Sequence, residues 1–375
     1  MPVTSPGLKG IVAATTRLSD VMGEEGILVY GGYNINDLAG HVSYEEVVYL
    51  LWNDELPTKA QLEKLKGELR AARTLPAPVV DVLKKAPKDA NPMDILRTGV
   101  SMLGLYDLAP VGPQTREQLT PRAISLTAKV GVIVAYFHRS RQGKELPPIR
   151  TDLDEAAHFL YLMTGETPGP ETVKTLDLAY VLHADHGFNA STFSARVTAS
   201  TLSDLYSAIT TAIGTLKGPL HGGANEAVIH MLQEIGSPDK VDAWVHDKLA
   251  KKEKIMGMGH AVYKVLDPRA PHLKAMAVKL TQELGETKWV EMSEKIAAIV
   301  KKEKNLNANV DFYSATVYYS LGIPTDLFTP IFAIARTSGW TGHVIEQVLD
   351  NKIFRPSSEY VGFPVGKKVV PLDQR

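Results

Sequence analysis

Apolar residues recur every three or four positions along most of this chain, a spacing that predicts amphipathic helices. One predicted helix starts from a cap at Ser203 and stops at Gly218-Pro219, and the next runs from Ala224 and stops at Gly236. Other helix starts are signalled by capping residues, capping boxes or a cap before a proline. These starts are Ser43, Thr58, Asn91, Thr120, Thr151, Ser237, Asn309 and Thr329.

Helix ends and strands complete the predicted architecture. The helix that starts at Thr329 is predicted to end at residues 336–339, and a later helix is predicted to end around Asp350. Apolar and polar residues alternate around a Gly-Gly turn within residues 26–35, which predicts one short hairpin. No second clear strand pattern is present, and no repeat of roughly 20–50 residues indicates a solenoid. The predicted fold is therefore mainly α-helical.

Composition narrows the class of protein. The chain has 375 residues, of which 44% are hydrophobic, so one large or two medium domains with a sizeable core are expected. The net charge of −1, without a long basic block, gives a nucleic-acid partner no electrostatic support. The chain has no cysteine, which excludes disulfides and thiolate chemistry. The longest apolar run, residues 130–137, is too short to span a membrane, and residues 1–6 lack signal-peptide features. A soluble, cytoplasmic protein is predicted.

Two histidines lie in glycine-rich turns at the edges of helices. His221 occupies a corner between two predicted helices, where glycines leave backbone N–H groups free to face a ligand. His260 follows a second such turn and precedes Arg269. A single histidine in a helical protein is usually a satisfied core residue, but two in such turns favour a functional site. Asp311 comes two residues after the helix cap Asn309. From its spacing alone, Asp311 is expected only to stabilise the start of the helix, because acids are favourable in a first helical turn.

Two other polar clusters suggest possible ligands. His183, Asp185 and His186 suggest a metal site, but their spacing does not place all three on one helical face, so none is predicted. A lysine run at residues 251–254 leads into the turn before His260, which suggests a phosphate-bearing ligand. The chain has no phosphate-loop motif, so a nucleoside triphosphatase is not supported.

Three segments together resemble the citrate synthase family. They read GPLHGGANE at positions 218–226, GMGHAVYK at 257–264 followed by DPRA at 267–270, and NANVDFYSA at 307–315. The similarity extends over essentially the whole chain. It implies a large helical domain of residues 1–220 and 323–375, with a small helical domain of residues 221–322 between them. It also implies a homodimer or a larger homo-oligomer.

The resemblance implies an enzyme that condenses acetyl-CoA with oxaloacetate and hydrolyses citryl-CoA to citrate and CoA. Asp311 would remove a methyl proton from the thioester, His221 would donate to the enolate oxygen, and His260 would polarise the ketone. The dianionic oxaloacetate needs fixed cations, and arginine suits this task because it stays charged. The implied oxaloacetate ligands are His186, Arg269, Arg336 and Arg355, with Arg355 reaching the neighbouring subunit's site. The implied coenzyme A contacts are Met256, Gly257, Met258, Gly259 and Lys264.

Coenzyme A enters as part of the substrate, so no tightly bound cofactor is predicted. The chain departs from the family's pattern at Gly31 and Ala261, where arginine is usual, so no ligand contact is assigned to either position. A 2-methylcitrate synthase acting on propionyl-CoA would use the same residues, because one methylene changes pocket affinity by only about 1–3 kcal/mol. A non-enzymatic helical scaffold is a distant alternative, and it would leave the histidines and Asp311 scattered instead of in intact motifs.

Overall fold

The computed structural model describes residues 5–8, 10–107 and 112–375. Within these residues, sixteen α-helices and one three-stranded sheet make up the regular structure, so the predicted mainly helical fold is confirmed. Residues 1–4, which belong to the stretch predicted to lack a signal peptide, lie outside the described residues. Among the described helices, none is long and apolar enough to cross a membrane.

The strands are β1 (Ser19–Met22), β2 (Ile27–Tyr30) and β3 (Tyr33–Asn34). The first eight helices are α1 (Ile35–Leu38), α2 (Tyr44–Asn53), α3 (Lys59–Ala72), α4 (Ala77–Lys85), α5 (Pro92–Leu103), α6 (Arg116–Arg141), α7 (Glu155–Thr164) and α8 (Pro170–His183). The other eight are α9 (Ala190–Ser200), α10 (Leu205–Leu216), α11 (Ala224–Ile235), α12 (Val241–Ala250), α13 (Ala270–Leu284), α14 (Lys288–Lys304), α15 (Val310–Ser320) and α16 (Phe328–Leu349).

Local hydrogen bonds start several helices where they are predicted. Ser43 opens α2 and Thr58 opens α3, each in a capping box with the side chain three residues later. Asn91 caps α5 through its side-chain oxygen. Asn309 Oδ1 accepts the backbone N–H of Asp311 at 3.0 Å and so caps α15. These bonds join residues only two or three positions apart, which is why the sequence alone predicts them.

The predicted start of α6 is wrong. The helix begins at Arg116 and not after Thr120, because Thr115 and Gln118 form a capping box in the preceding turn. Pro121 then lies inside the helix, close to its N-terminus. A proline in the second turn removes only one backbone hydrogen bond. The two bonds of the capping box therefore outweigh the preference of proline for the first turn.

Two further helix starts are displaced by one to three residues. α7 begins after Asp154 and not at Thr151, and the Asp154 carboxylate is paired with Arg70 of α3. α10 is capped by Asp204 and not by Ser203. The Asp204 carboxylate caps α10 by accepting the Ser207 N–H at 2.9 Å, and the helix dipole favours an acid there. Asp154 makes no such bond, and its charge is compensated by Lys66 and Arg70.

Helix α16 is continuous, so the helix end predicted at residues 336–339 is wrong. It runs as one element from Phe328 to Leu349 and is buried over most of its length. An ideal Cβ on Gly339 would lie 2.4 Å from the carbonyl oxygen of Ala184. The glycine is therefore required for close approach of α16 to the turn after α8, and it does not end the helix. Helices α2, α6, α8, α9 and α10 pack around α16.

The small sheet contains one strand more than predicted. The hairpin of β2 and β3 is confirmed, with Tyr30 paired to Tyr33. Strand β1 pairs antiparallel with β2, from Ser19 opposite Tyr30 to Met22 opposite Ile27. The prediction of no second strand pattern is thus wrong. β1 has only four residues, two of them poor strand formers, so its conformation depends on pairing with β2.

Helices α11 to α15 pack chiefly against one another, and α13, α15 and α11 form the centre of this group. The remaining helices pack around α16 and α6, except α1, which packs against β2 and β3. The domain boundary at residues 221–322 stays a prediction. Residues 351–375 follow α16 as an exposed segment with one short 3₁₀ turn.

Candidate active site

His221 lies in the turn between α10 and α11, as predicted. An ideal Cβ on Gly222 would lie 2.2 Å from the carbonyl oxygen of Leu216, so only glycine fits the tight path of the chain. The Thr329 hydroxyl at the start of α16 donates to the Gly222 carbonyl oxygen at 3.0 Å. The turn that carries His221 is therefore fixed from both sides.

The hydrogen bonds of His221 define which ring nitrogen carries its proton. The backbone N–H of Ser191, the second residue of α9, donates to Nε2 at 3.2 Å. Nε2 must accept this bond, so the proton of the neutral ring is on Nδ1. Burial lowers the pKa of His221 to about 4, with a further contribution from Arg336. His221 is therefore a neutral imidazole that presents an Nδ1–H donor. Ser191 has no recognisable signal in the sequence.

The glycine loop before His260 is tied to the start of α15. The Gly259 N–H donates to the Asn307 carbonyl oxygen at 2.8 Å, and the Asn309 N–H donates to the Gly257 carbonyl oxygen at 3.0 Å. The Asn309 side-chain amide also donates to the Gly259 carbonyl oxygen at 2.8 Å. Asn309 also caps the helix that bears Asp311. Its side chain therefore fixes the position of the loop before His260 relative to the start of this helix.

His260 is neutral, but with the opposite tautomer to His221. Its Nδ1 accepts the backbone N–H groups of Val262 at 3.0 Å and Tyr263 at 3.1 Å. The ring proton is therefore on Nε2, which is free to donate to a substrate. Burial and, to a smaller extent, the nearby Arg269 lower the pKa of His260 to about 4.

Arg269 is fully buried and held by Asp267. The guanidinium donates from Nε to Oδ1 at 3.0 Å and from Nη2 to Oδ2 at 2.8 Å. The backbone N–H of Val310 donates to the same Oδ2 at 3.1 Å, which links this pair to α15. Burial raises the pKa of Asp267, but Arg269 lowers it more, so the pair remains ionic. Asp267 is a positioning residue that sequence reasoning missed, although it stands two residues before the arginine.

Arg336 lies in the middle of α16 and points away from solvent. Its Nε donates to the His183 carbonyl oxygen at 2.6 Å, and its guanidinium lies 4.7 Å from the centre of the Phe332 ring. Burial lowers the pKa of Arg336 to about 10, which leaves the side chain charged at neutral pH. A buried arginine with so few acceptors around it is suited to bind an anionic ligand.

His186 lies in the turn of residues 184–187 after α8. Its Nε2 is 3.1 Å from the Tyr263 hydroxyl, and its ring meets the His260 ring edge-on at 5.4 Å between centres. Burial, together with Arg269, lowers the pKa of His186 well below its ordinary value. Tyr263 is a further site residue that the sequence analysis did not single out.

Asp311 lies in the first turn of α15, as predicted. Burial raises the pKa of this carboxyl to about 6, and Arg269 and Arg336 oppose that rise. Among the described residues, no side chain is hydrogen-bonded to the Asp311 carboxylate. A carboxylate with these properties is available as a base near neutral pH.

A cleft of about 700 Å³ opens beside these groups and is lined by His221, His260 and Asn309. Four of the five predicted coenzyme A contacts line it, but the fifth, Lys264, does not. Its apolar walls include Leu249, Ile255, Val300 and Leu306. The lysines that line it are Lys252, Lys254 and Lys304.

Arg355, like Lys264, does not line the cleft beside His221 and His260. Its side chain is exposed, its Nη1 donates to the neighbouring Pro356 carbonyl oxygen, and it lines a separate groove next to Phe193. Gly31 has a positive φ of 51°, and an ideal Cβ there would lie 2.7 Å from the Leu50 side chain. Ala261 lines the cleft.

The histidine and aspartate cluster after α8 is engaged in other contacts. His183 Nδ1 lies 2.7 Å from the Ala179 carbonyl oxygen, and Asp185 bonds to Ser19 and His343. Within the described ranges, no group of three or more histidine, aspartate or glutamate side chains is arranged to hold a metal ion.

Two neutral imidazoles with exposed N–H donors, a half-buried carboxylate and two buried arginines define an acid–base enzyme for an anionic substrate. The family model described as citrate synthase, C-terminal domain, matches residues 7–357. Citrate synthase 2 of Bacillus subtilis is 50% identical over 370 residues, which cover 98% of each chain. The chain therefore belongs to the citrate synthase family, whose members are acyltransferases.

Two further relatives extend this comparison. The 2-methylcitrate synthase of Shewanella oneidensis is 44% identical over 376 residues, covering 100% of this chain and 98% of the relative. The citrate synthase of Thermoplasma acidophilum, solved as a ternary complex with carboxymethyl coenzyme A and oxaloacetate, aligns with a TM-score of 0.93. That structure is 33% identical in sequence and both chains are covered completely. The resemblance stated from the sequence motifs is confirmed.

Proposed function

We propose that the protein condenses acetyl-CoA with oxaloacetate and then hydrolyses citryl-CoA to citrate and CoA. The observation that carries the proposal is the arrangement of proton donors and acceptors. Backbone N–H groups hold His221 and His260 in opposite neutral tautomers, while Asp311 has a pKa raised to about 6. A carbon acid needs this combination of a base and fixed neutral donors.

In the first step, Asp311 removes a proton from the methyl group of acetyl-CoA. The electron pair of the C–H bond forms the enolate double bond, and negative charge develops on the thioester oxygen. His221 Nδ1–H stabilises this oxygen by hydrogen bonding. A neutral donor suits the task, because its strength increases as charge develops and the ring need not lose a charge first.

In the second step, the enolate carbon attacks the ketone carbon of oxaloacetate. His260 Nε2–H polarises the ketone. The ketone oxygen gains negative charge as the carbon–carbon bond forms, and it then takes up a proton to become the hydroxyl group of citryl-CoA. Arg269, Arg336 and His186 bind the carboxylates of oxaloacetate in this proposal, since all three are buried, both arginines lower the pKa of His186, and the His186 ring meets the His260 ring. Water then cleaves the thioester and releases CoA as the thiol. No residue is assigned to the activation of that water.

The cleft beside His221 and His260 would hold the coenzyme A portion of the substrate. Its apolar walls suit the adenine and pantetheine, and its lysines suit the phosphates. Lys252, Lys254 and Lys304 line the cleft and are better candidates for phosphate contacts than Lys264, which stands outside its lining. No tightly bound cofactor is part of the proposal.

The proposal includes a homodimer or larger homo-oligomer in which Arg355 completes the neighbouring site. Two features of the exposed segment support it. Arg355 lines a different groove of its own chain from the one lined by His221 and His260. The segment that follows also exposes large apolar side chains, among them Tyr360, Val361 and Phe363, which a second subunit would cover. A cytoplasmic location and a role in the first step of the tricarboxylic acid cycle belong to the same proposal.

A second candidate is 2-methylcitrate synthase, which the Shewanella oneidensis relative favours. It differs by one methylene in the acyl group, so the same base and donors would serve. The deciding experiment measures thiol release in the presence of oxaloacetate, with acetyl-CoA and propionyl-CoA compared at equal concentration. We expect kcat/KM to be higher for acetyl-CoA. A higher value for propionyl-CoA would favour the second candidate, and no release from either thioester would contradict both.

A further inference from the structure

The turn of residues 184–187, which carries His186, is anchored to strands β1 and β2 of the small sheet. The Ser19 hydroxyl of β1 donates to Asp185 Oδ2 and accepts the Gly187 N–H at 2.9 Å. The Tyr30 hydroxyl of β2 donates to the Asp185 carbonyl oxygen at 2.8 Å and accepts the Asp185 N–H at 3.2 Å. Each hydroxyl therefore acts as both donor and acceptor on the same turn.

A third anchor comes from His343 on α16. Its Nε2 lies 3.0 Å from Asp185 Oδ2, and its Nδ1 lies 3.2 Å from Nη1 of Arg196. Arginine has no acceptor, so it must donate to Nδ1, and the ring proton is on Nε2, which donates to Asp185. Arg196 is in turn held by Glu346 and by Gln347, whose side-chain oxygen is 3.0 Å from its Nε. The tautomer of His343 is thus determined by hydrogen bonds among side chains of α9 and α16.

Asp185 is a fully buried acid, and its surroundings keep it charged. Burial raises the pKa of this carboxyl, but His343, Arg336 and Ser19 together hold it below its ordinary value. A buried carboxylate costs several kcal/mol unless donors compensate it, and an apolar residue would hold a turn at lower cost. The chain also places Gly339 where any Cβ would lie 2.6 Å from Asp185 Oδ1. The negative charge of Asp185 therefore has a role other than packing.

We infer that this role is to stabilise Arg336. Its Nε bonds to the carbonyl oxygen of His183, two residues before Asp185, and no other hydrogen bond of its guanidinium is formed within the described part of the chain, which leaves most of its donors for a ligand. A buried arginine without a counter-ion is unfavourable, so the negative charge of Asp185, which raises the pKa of Arg336, stabilises the guanidinium while the anionic ligand is absent. The same carboxylate sets the position of the next residue, His186. One side chain thus supports two of the groups assigned to oxaloacetate.

We propose that Asp185 and His343 are positioning residues for the oxaloacetate subsite, holding His186 in place and supporting Arg336 before the dianion binds. The inference rests on the proposed function, because it assumes that oxaloacetate is the anion. Neither residue contacts the reacting atoms. Their loss should therefore weaken oxaloacetate binding much more than it affects acyl-CoA binding.

The first test compares His343→Gln with His343→Asn. The glutamine amide reaches as far as the Nε2–H of histidine and retains a donor to Asp185, whereas the asparagine amide is too short. A hydrogen bond to a charged group contributes about 1.5–3 kcal/mol, so its loss should raise the KM for oxaloacetate about 10- to 100-fold. We expect this increase in KM for His343→Asn, and an increase less than about one fifth as large for His343→Gln. The KM for acetyl-CoA should change by no more than about twofold in either variant.

A matched control separates positioning from general loss of stability. His158 on α7 is also a buried histidine, and it stands outside the site, so His158→Asn measures the cost of the same substitution elsewhere. Melting temperatures are measured for all three variants with and without oxaloacetate. We expect oxaloacetate to stabilise the wild type, the control and His343→Gln, and to stabilise His343→Asn much less at the same concentration.

The possible outcomes distinguish this inference from the proposed function. If oxaloacetate does not stabilise the wild-type protein, the assignment of oxaloacetate as the anion is wrong. If the wild type binds oxaloacetate and the two His343 variants have equal KM values, the positioning role is wrong. A fall in melting temperature with unchanged oxaloacetate binding would also overturn it, since His343 would then serve only the core.

Discussion

At the scale of single residues, the neutral histidines and the raised pKa of Asp311 predict the pH dependence of the reaction. Asp311 acts as a base only when deprotonated, so kcat/KM should fall as the pH drops through about 6. His221 and His260 have pKa values of about 4 and stay neutral near pH 6, so they should not cause the fall in kcat/KM there. A pH–rate profile from pH 5 to 8 measures it. A flat profile down to pH 5 would contradict the assignment of Asp311.

Asp311→Asn tests the same residue by removing the base without changing its shape. We expect kcat to fall by roughly 10²–10⁴-fold, because proton transfer by a placed group contributes about that much. Oxaloacetate binding, measured by thermal stabilisation, should change little, because the arginines remain. The control is Asp204→Asn, since asparagine also caps helices well and this residue is remote from the cleft. Near-native turnover of the Asp311 variant would show that another group removes the proton.

At the scale of elements, the turn between β1 and β2 rests against the segment that carries Tyr263. The Lys264 N–H donates to the Gly23 carbonyl oxygen at 2.9 Å, and an ideal Cβ on Gly23 would lie 2.5 Å from the Val262 carbonyl oxygen. This contact joins the sheet that anchors the His186 turn to the chain that follows His260. The site is therefore complete only when the turn between β1 and β2 contacts the segment that carries Tyr263.

Gly23→Ala should disturb that contact specifically. The backbone at Gly23 is in a region open to alanine, so the effect comes from the clash with Val262. Overpacking of this kind costs about 1–3 kcal/mol, which predicts a rise in the KM for oxaloacetate of roughly 5- to 100-fold. Gly67→Ala in α3 is the control, because no atom lies within 4 Å of its ideal Cβ. Equal KM values for the two variants would show that the contact is not needed for binding.

At the scale of the whole molecule, the exposed position of Arg355 predicts a site shared between subunits. Arg355→Ala and Asp311→Asn should each be inactive alone if Arg355 acts in the neighbouring site. Mixing the two proteins under conditions of subunit exchange should restore activity, because one site of each mixed dimer then holds both native residues. Exchange is verified by mass spectrometry of differently tagged subunits. Exchange without recovered activity would mean that Arg355 acts within its own chain.

The sequence by itself determined the local features of this protein. Caps such as Asn309 and Ser43, and turns such as the one around His221, depend on hydrogen bonds and sterics within a few residues. The three motifs preserve these local features together, which is why the family and the mainly helical fold could be predicted. The candidate catalytic residues followed from the same motifs, and their roles remain proposals.

Only the tertiary structure decided the features that depend on distant parts of the chain. The tautomer of His221 comes from the backbone of Ser191, thirty positions away, and the continuity of α16 comes from the close approach of Gly339 to Ala184. Strand β1 exists because β2 pairs with it. The pKa of Asp311 depends on burial and on two distant arginines. Hydrogen bonds, burial and charge act through space, so a pattern along the chain predicts which residues are present but not which atoms they face.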